Sequence, residues 1–354
     1  MALIVELEKQ CGRFHLSVSL NANAGEPLAL LGASGSGKSM ALKCIAGLIR
    51  PDEGYVELDG RILYDSAAGI DLAPQKRSVG YLFQQYALFP NMTVRENILA
   101  GTKKLPREAR SSFAEEMIER FHLKGLENHY PAQLSGGQQQ RTALARITAS
   151  RPGAILLDEP FSALDSYLKL QMEEELHTFL EEYPGEVIWV SHDRGEAYRG
   201  CAKVCVMEEG SSSPVTDMKD LILHPGTVSA ARLAGYTNFM DWTRGDAKQS
   251  VLLPKWGLCL HTQQEIPDKP YMLGIRADTI RASERGEENA FECTVCKVIE
   301  DIGYDMVLLR PTAAEEQAPY LRMISGQREG KKFTAGEQAV VCIEGNDLAF
   351  LSEC

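Results

Sequence analysis

The residues most suited to chemistry form a short run of glycines, serines and one lysine. The run is Gly32, Ala33, Ser34, Gly35, Ser36, Gly37, Lys38 and Ser39. Its glycines allow the backbone N–H groups to turn inward around phosphates, Lys38 can reach the outer phosphates, and the Ser39 hydroxyl can bind Mg²⁺. Apolar residues 28–31 predict a buried strand before the run, and a helix is predicted over 39–48. This context favours a phosphate-binding loop over a simple Gly/Ser turn that ends in Lys-Ser.

A second candidate site follows the apolar run 154–157. The run predicts a buried parallel strand, and parallel sheets place ligands at the carboxyl ends of their strands. Asp158 would hold Mg²⁺ there, and Glu159 would polarise the water that attacks the γ-phosphate. Alone, Asp158, Glu159 and Pro160 could equally be a turn that ends a strand. The phosphate loop in the same chain favours the catalytic interpretation.

Two further polar residues follow strand-like segments. His192 comes after the apolar run 187–190 and could contact the γ-phosphate and orient Glu159. Gln84, in the segment 81–86, follows a strand-like run and could reach the metal and the water. An isolated histidine after a strand is more often a surface residue, and a lone glutamine carries little signal. Both assignments therefore depend on their neighbours.

A second anion site is predicted where another helix begins. Its residues are Leu134, Ser135, Gly136, Gly137 and Gln138. Ser135 with the two glycines opens a helix that continues through Ile147, so the N-terminal amides and the helix dipole would attract an anion.

In their order along the chain, these motifs resemble those of the ABC transporter ATPases over about residues 1–230. The resemblance includes one more segment, Ser162, Ala163, Leu164 and Asp165. It implies ATP and Mg²⁺ as ligands and a head-to-tail homodimer, in which Ser135 and Gly137 of one subunit close over the γ-phosphate held by Lys38 of the other. Residues 162–165 would lie at the seam between subunits. A lone phosphate-loop kinase would give residues 134–138 no role.

Members of this family usually stack adenine on an aromatic residue near the first strand. Phe14 is the one aromatic residue in that interval. It alternates with Leu16, Val18 and Leu20, which is typical of a core residue of a strand. The core interpretation is therefore favoured, and the adenine contact stays open.

Composition restricts the class of protein. The chain has 354 residues, 44% hydrophobic content, a formal net charge of −12 and nine scattered cysteines. The negative charge argues against nucleic acid and anionic lipid as main partners, and the odd cysteine number favours a reducing compartment. No apolar run is long enough to cross a bilayer. Cys293 and Cys296 lack a second Cys or His pair at metal spacing, so we expect them to be structural.

The pattern along the chain predicts two domains. Residues 1–234 would form an α/β phosphate-loop (P-loop) NTPase domain of the ABC ATPase type, with a helical subdomain inserted at about 86–150. Residues 235–354 contain short strand-like runs separated by Gly, Pro and Asp, which predicts a small all-β domain. That domain resembles the OB/TOBE-like regulatory domain of importer ATPases.

The resemblance implies an importer subunit on the cytoplasmic face of the cell membrane. Its partners would be transmembrane permease subunits and, indirectly, an extracytoplasmic solute-binding protein. Residues 86–92 would help to form the groove for the permease, although Tyr86, Leu88, Phe89 and Pro90 could equally be ordinary packing residues. Residues 32–39, 72–81 and 274–277 look most like molybdate-type members. Sulfate, iron, polyamine or sugar import remains an alternative, as does a soluble ABC ATPase without a membrane partner.

Overall fold

The computed structural model describes residues 2–162, 166–268, 271–326 and 332–352. They divide into two compact units, Met1–Met218 and Lys219–Cys354. The expected boundary at 234/235 lies later in the chain than this division. The difference arises because helix Val228–Ala234 packs on strands Tyr236–Met240 and Met272–Arg276 of the second unit.

The first unit contains strands, helices and short 3₁₀ turns. Its strands are β1 (Ala2–Cys11), β2 (Phe14–Asn23), β3 (Leu28–Leu31), β4 (Glu53–Leu58), β5 (Arg61–Asp65), β6 (Ile70–Asp71), β7 (Val79–Leu82), β8 (Ala154–Asp158), β9 (Glu186–Ser191), β10 (Lys203–Glu208), β11 (Ser211–Ser212) and β12 (Thr216–Asp217). Its helices are α1 (Lys38–Ile45), α2 (Val94–Gly101), α3 (Ala109–Arg120), α4 (Gly136–Ala149), α5 (Ser166–Glu181) and α6 (Arg194–Gly200).

One mixed sheet organises this unit. Its order is β6-β5-β4-β1-β2-β11-β10-β3-β9-β8-β7, with β12 paired to β10. The run β10-β3-β9-β8-β7 is parallel throughout, whereas β6 to β2 are antiparallel. Strands β3, β8 and β9 are buried along their whole length, as expected for strands covered on both faces. The α/β fold expected for this unit is confirmed.

The segment after β7 is helical, as predicted for the insert at about residues 86–150. Helix α2 begins with a capping box, in which the Thr93 side chain accepts from the Glu96 amide and the Glu96 side chain accepts from the Thr93 amide. Helix α3 buries Ala114, Met117 and Ile118 against the rest of the unit. A single apolar face of this kind needs a partner surface, and α3 packs on both α2 and α4.

The second unit is mainly β. It contains helices α7 (Met218–Leu223) and α8 (Val228–Ala234), and strands β13 (Tyr236–Met240), β14 (Thr243–Arg244), β15 (Ser250–Leu253), β16 (Leu258–His261), β17 (Met272–Arg276), β18 (Arg281–Ala282), β19 (Ala290–Glu300), β20 (Tyr304–Pro311), β21 (Leu321–Gly326), β22 (Gln338–Cys342) and β23 (Leu348–Leu351). They form sheets β13-β17-β23, β14-β15-β16 and β18-β22-β19-β20-β21 around one apolar cluster that includes Trp242 and Trp256. The prediction of a small all-β domain is confirmed.

The two neighbouring cysteines of the second unit differ in burial. Cys293 is fully buried in β19, where burial raises the pKa of its thiol to about 12, and Cys296 is partly buried. Among the residues that the structure describes, no helix is both long and apolar enough to cross a membrane.

A buried arginine joins the end of α1 to the edge of the sheet. The Arg77 side chain has no exposed surface and donates hydrogen bonds to the carbonyl oxygens of Cys44 (2.9 Å), Ile45 (2.8 Å) and Leu72 (2.8 Å). Its Nη2 also pairs with Asp71 at 2.9 Å. The last carbonyls of a helix lack partners within the helix, and a cation there complements the helix dipole. Arg77 therefore fixes the end of the helix that follows the phosphate loop.

We expect Arg77→Met to destabilise the first unit by about 3 kcal/mol, because it leaves buried carbonyls and Asp71 without their donor. The measurement is urea unfolding of the full chain, followed by far-ultraviolet circular dichroism. Arg50→Met is the matched control, since Arg50 contacts the same Asp71 at 3.6 Å but is 77% exposed. It should change stability by less than about 0.5 kcal/mol. Equal losses in both variants would contradict the role of Arg77.

Candidate active site at the carboxyl edge of the parallel sheet

Strand order brings the predicted catalytic residues together. Strand β9 lies between β3 and β8, and β7 follows β8. The parallel register pairs Leu31 with Ser191 and Val190 with Asp158. The segments that follow these strands therefore leave the sheet at one edge, where open parallel sheets bind ligands.

Close packing explains two glycines of the phosphate loop. A Cβ at Gly32 would lie 2.2 Å from the Met207 carbonyl oxygen. At Gly37, φ is +102° and a Cβ would lie 2.7 Å from Leu16 Cδ1 and 3.0 Å from Phe14 Cζ. The loop can thus follow its path only with glycine at these positions. Phe14 also packs against the core of the unit, in agreement with its core interpretation.

Lys38 is held inside the loop. Its Nζ donates to the carbonyl oxygens of Gly32 and Ala33, each at 2.8 Å, and lies 3.4 Å from Ser36 Oγ. The residue is only 5% exposed. Desolvation lowers its pKa, while the charges of Glu159 and Asp158 oppose this shift. An ammonium group in this position is prepared to exchange carbonyl partners for phosphate oxygens.

The predicted metal ligands Ser39 and Asp158 are in direct contact. Ser39 Oγ donates to Asp158 Oδ1 at 2.7 Å, and Asp158 is 6% exposed. A hydroxyl and a carboxylate side by side are the oxygen donors that Mg²⁺ prefers, so these residues fit the metal. Gln84, the third predicted ligand, is exposed in the turn after β7. It forms none of the hydrogen bonds that connect the described site residues.

Glu159 and His192 meet across neighbouring strand ends. His192 Nδ1 lies 3.5 Å from Glu159 Oε2, and the two side chains are 60% and 25% exposed. Glu159 has φ +47°, its amide donates to the Val190 carbonyl, and its carbonyl accepts from Ser162 Oγ at 3.0 Å. A left-handed backbone conformation costs free energy in a glutamate, so it persists only where neighbouring contacts hold it. Backbone strain of this kind is concentrated at functional sites.

Residues 134–138 form the predicted helix start. Ser135 is the N-cap of α4, and its Oγ accepts from the Gln138 amide at 3.4 Å. The Gln138 Oε1 accepts from the Ser135 amide at 2.9 Å, which completes a capping box. Gly137 is buried, and a Cβ there would lie 3.2 Å from Met172 Sδ. Leu134 is also buried, and Gly136 begins the helix. Of the predicted segment 162–165, Ser162 is described and Ala163, Leu164 and Asp165 lie outside the described residues.

Sequence reasoning did not identify Tyr81 or Arg146. The Tyr81 hydroxyl donates to Asp158 Oδ2 at 2.7 Å. Arg146 of α4 donates to the carbonyl oxygens of Ala87 (2.8 Å) and Tyr86 (3.1 Å), and its guanidinium lies 5.2 Å from the Phe89 ring centroid. Tyr86 and Ala87 have φ +58° and +43°. No local sequence pattern predicts these contacts, because each joins segments that are distant in sequence and meet only in the folded unit.

The chain resembles known proteins over both units. The family model described as ABC transporter matches residues 16–162. The molybdenum import ATP-binding protein ModC of Paramagnetospirillum magneticum is 37% identical over 63% of this chain and 61% of its own length. The putrescine transport ATP-binding protein PotG of Escherichia coli is 34% identical over 95% of this chain and 90% of its own. The match to ModC thus spans about three fifths of that relative.

A solved structure adds to the sequence similarity. The dimeric ATP-binding cassette MJ0796, bound to ADP and Pi after hydrolysis, is 32% identical with a TM-score of 0.52, over 62% of this chain and 99% of that one. A sulfate/thiosulfate import ATP-binding protein, CysA 2 of Chromobacterium violaceum, is 34% identical over 86% of this chain and 80% of its own. Together with the site geometry, these similarities show that the chain belongs to the ATP-binding proteins of the ABC transporter family.

Proposed function

We propose that this protein hydrolyses ATP to drive import of a solute through separate membrane subunits. The observation that carries the proposal is the grouping of Lys38, Ser39, Asp158, Glu159 and His192 at one edge of the sheet, with the Ser39–Asp158 and His192–Glu159 contacts at 2.7 and 3.5 Å. Import in particular is supported by the similarity to ModC and CysA 2, which are named as import ATP-binding proteins.

Each site residue has a distinct role in the proposed reaction. Lys38 leaves the Gly32 and Ala33 carbonyls to bind the β- and γ-phosphates. Ser39 and Asp158, with Gln84, would hold Mg²⁺, which when bound neutralises phosphate charge. Glu159 accepts a proton from the attacking water, and His192 orients Glu159 and contacts the γ-phosphate. The γ-phosphoryl group passes to that water and ADP leaves.

We infer that two copies of the chain share each nucleotide. Ser135, Gly136 and Gly137 of one copy would close over the γ-phosphate bound by Lys38 of the other. The capping box supports this role because it fixes the first turn of α4, where the amides without helical partners can meet an anion. Residues 162–165 would connect the two nucleotide sites. The dimeric state of the MJ0796 cassette agrees with this arrangement.

The groove for a permease subunit is proposed next to the loop that follows Gln84. Phe89 and Met92 of this loop are 46% and 38% exposed, whereas Tyr86 is only 4% exposed and packs inward. Arg146 connects the loop to α4, the helix that would close over the nucleotide of the partner. A permease segment bound at Phe89 could thus sense the position of α4. Such contacts would place the protein peripherally on the cytoplasmic face of the membrane.

The solute proposed first is molybdate or a related oxyanion, delivered by an extracytoplasmic binding protein. Similarity to molybdenum and sulfate/thiosulfate importers supports an oxyanion, while the match to PotG supports a polyamine as the alternative. We propose that the second unit has a regulatory, TOBE-like role.

Removing the proposed base should separate ATP binding from hydrolysis. Glu159→Gln should bind ATP, accumulate as an ATP-bound dimer and lose at least about 100-fold in ATPase rate, because the amide cannot accept the proton. ATP turnover and size-exclusion chromatography with light scattering measure these effects. Glu209→Gln is the control, since Glu209 also has a left-handed backbone, with φ +46°, but lies in the β10–β11 turn. Normal hydrolysis by Glu159→Gln would refute the assigned base.

Loss of the Arg146 contacts should loosen the loop. In Arg146→Met we expect amide hydrogen exchange over residues 85–92 to rise about tenfold, because hydrogen bonds to a charged donor contribute roughly 1.5–3 kcal/mol. Mass spectrometry of the exchanged peptides measures this. Arg151→Met is the control, since the Arg151 guanidinium lies 4.7 Å from the ring centroid of Phe113, a residue of α3 rather than of the loop. Unchanged exchange at 85–92 would show that Arg146 does not hold the loop.

Uptake measurements test the transport role. In a strain that lacks this gene, the full chain should restore uptake of labelled molybdate or sulfate, and Glu159→Gln should not. If the chain restored uptake of putrescine or iron alone, the oxyanion proposal would be wrong and the restored solute would take its place. Normal uptake of all these solutes by the deletion strain, without a membrane protein co-purifying with the chain, would favour a soluble ABC ATPase.

A further inference from the structure

Tyr81 connects the strand before Gln84 to the proposed metal ligand. Its hydroxyl donates to Asp158 Oδ2 at 2.7 Å, and the residue is 9% exposed. Parallel pairing of β7 with β8 places Tyr81 opposite Leu156. The hydroxyl thus reaches the carboxylate from the strand next to the one that carries it.

Both oxygens of the Asp158 carboxylate have a donor. Oδ1 accepts from Ser39 Oγ and Oδ2 accepts from Tyr81, each at 2.7 Å. Ser39 is itself a proposed metal ligand, so its hydroxyl serves two purposes. The Tyr81 hydroxyl has a single role, which is to donate to Asp158 Oδ2. Tyr81 belongs to none of the phosphate-binding or metal-binding motifs. Its hydrogen bond leaves the Ser39 side of the carboxylate to the metal.

The Tyr81 ring is itself fixed. Its centroid lies 4.4 Å from that of Phe83, with 42° between the ring planes. A tyrosine hydroxyl carries its proton at neutral pH, so it can donate this hydrogen bond. A donor with few rotamers on β7, the strand that pairs with β8, is suited to hold a buried carboxylate in one orientation.

We propose that Tyr81 is a positioning residue for magnesium, whose hydroxyl holds the Asp158 carboxylate in the orientation that binds the metal beside Ser39. This inference rests on the metal-binding role proposed for Asp158. Groups that orient metal ligands commonly change metal affinity by 10–100-fold when they are removed. In Tyr81→Phe the ring and its packing remain, and only the hydrogen bond to Oδ2 is lost.

The test measures ADP binding by the purified full-length chain, by calorimetry in EDTA and across a titration of free Mg²⁺. For Tyr81→Phe we expect ADP affinity in EDTA within about twofold of wild type, because Lys38 and the phosphate loop are unchanged. ADP affinity should increase with free Mg²⁺, and the Mg²⁺ midpoint is the concentration that gives half of this increase. For Tyr81→Phe we expect the Mg²⁺ midpoint to rise about tenfold. Tyr81→Met, which also lacks the hydroxyl, should behave in the same way.

Tyr64→Phe is the matched control. The Tyr64 hydroxyl is also buried, and it donates to the Pro51 carbonyl oxygen at 3.0 Å rather than to a site residue. Its Mg²⁺ midpoint should equal that of wild type, even if its melting temperature falls. The comparison therefore separates a loss of stability from a loss of metal positioning.

The outcomes distinguish this inference from the function on which it rests. An unchanged midpoint in Tyr81→Phe, or an equal shift in Tyr64→Phe, would overturn the role of Tyr81 and leave the role of Asp158 intact. A wild-type chain whose ADP affinity does not respond to Mg²⁺ would overturn the metal site itself, and the inference with it.

Discussion

The hydrogen bond between Ser39 and Asp158 connects two segments that are 119 residues apart in sequence. Ser39 lies in the first turn of α1 after β3, and Asp158 is the last residue of β8, with β9 between the two strands. The bond therefore forms only when β9 has been inserted and the three strands are in parallel register. The contact between the two proposed metal ligands therefore depends on the fold of the whole parallel sheet.

Hydrogen bonds within the protein stabilise the charged groups of the site. The Lys38 ammonium is bound by two backbone carbonyls, and the Asp158 carboxylate accepts two hydroxyl hydrogen bonds. Buried charges without such partners would cost several kcal/mol each. Phosphates and a cation can replace these internal partners, so nucleotide binding exchanges contacts instead of creating a charged site from an apolar one. Two hydrogen bonds hold the left-handed backbone of Glu159: its amide donates to the Val190 carbonyl oxygen, and its carbonyl oxygen accepts from Ser162 Oγ.

Helix α4 has a functional candidate near each end: the predicted anion site at its start and the Arg146 contacts with the loop after Gln84 near its end. Its first turn is held by the Ser135–Gln138 capping box, and further along Arg146 binds the loop after Gln84 through two carbonyls. A helix is stiff over such a length, so a displacement of one end moves the other. The two proposed interfaces, one to a second copy and one to a permease, thus share a rigid element.

Local sequence patterns are enough to predict individual helices and strands and to identify candidate site residues, whose roles stay predictions. The β3 run and the start of α4 at Gly136 were predicted correctly, because apolar periodicity and capping residues are local signals. The helix expected over 39–48 instead ends at Ile45, where Arg77 donates hydrogen bonds to the Cys44 and Ile45 carbonyl oxygens. The order of the strands, in which β9 lies between β3 and β8 and brings His192 near Glu159, is seen in the folded structure alone. The same is true of the contact of Tyr81 with Asp158 and of Arg146 with the loop after Gln84. The physical reason is that strand order and long-range hydrogen bonds depend on contacts between distant residues, which no local pattern records.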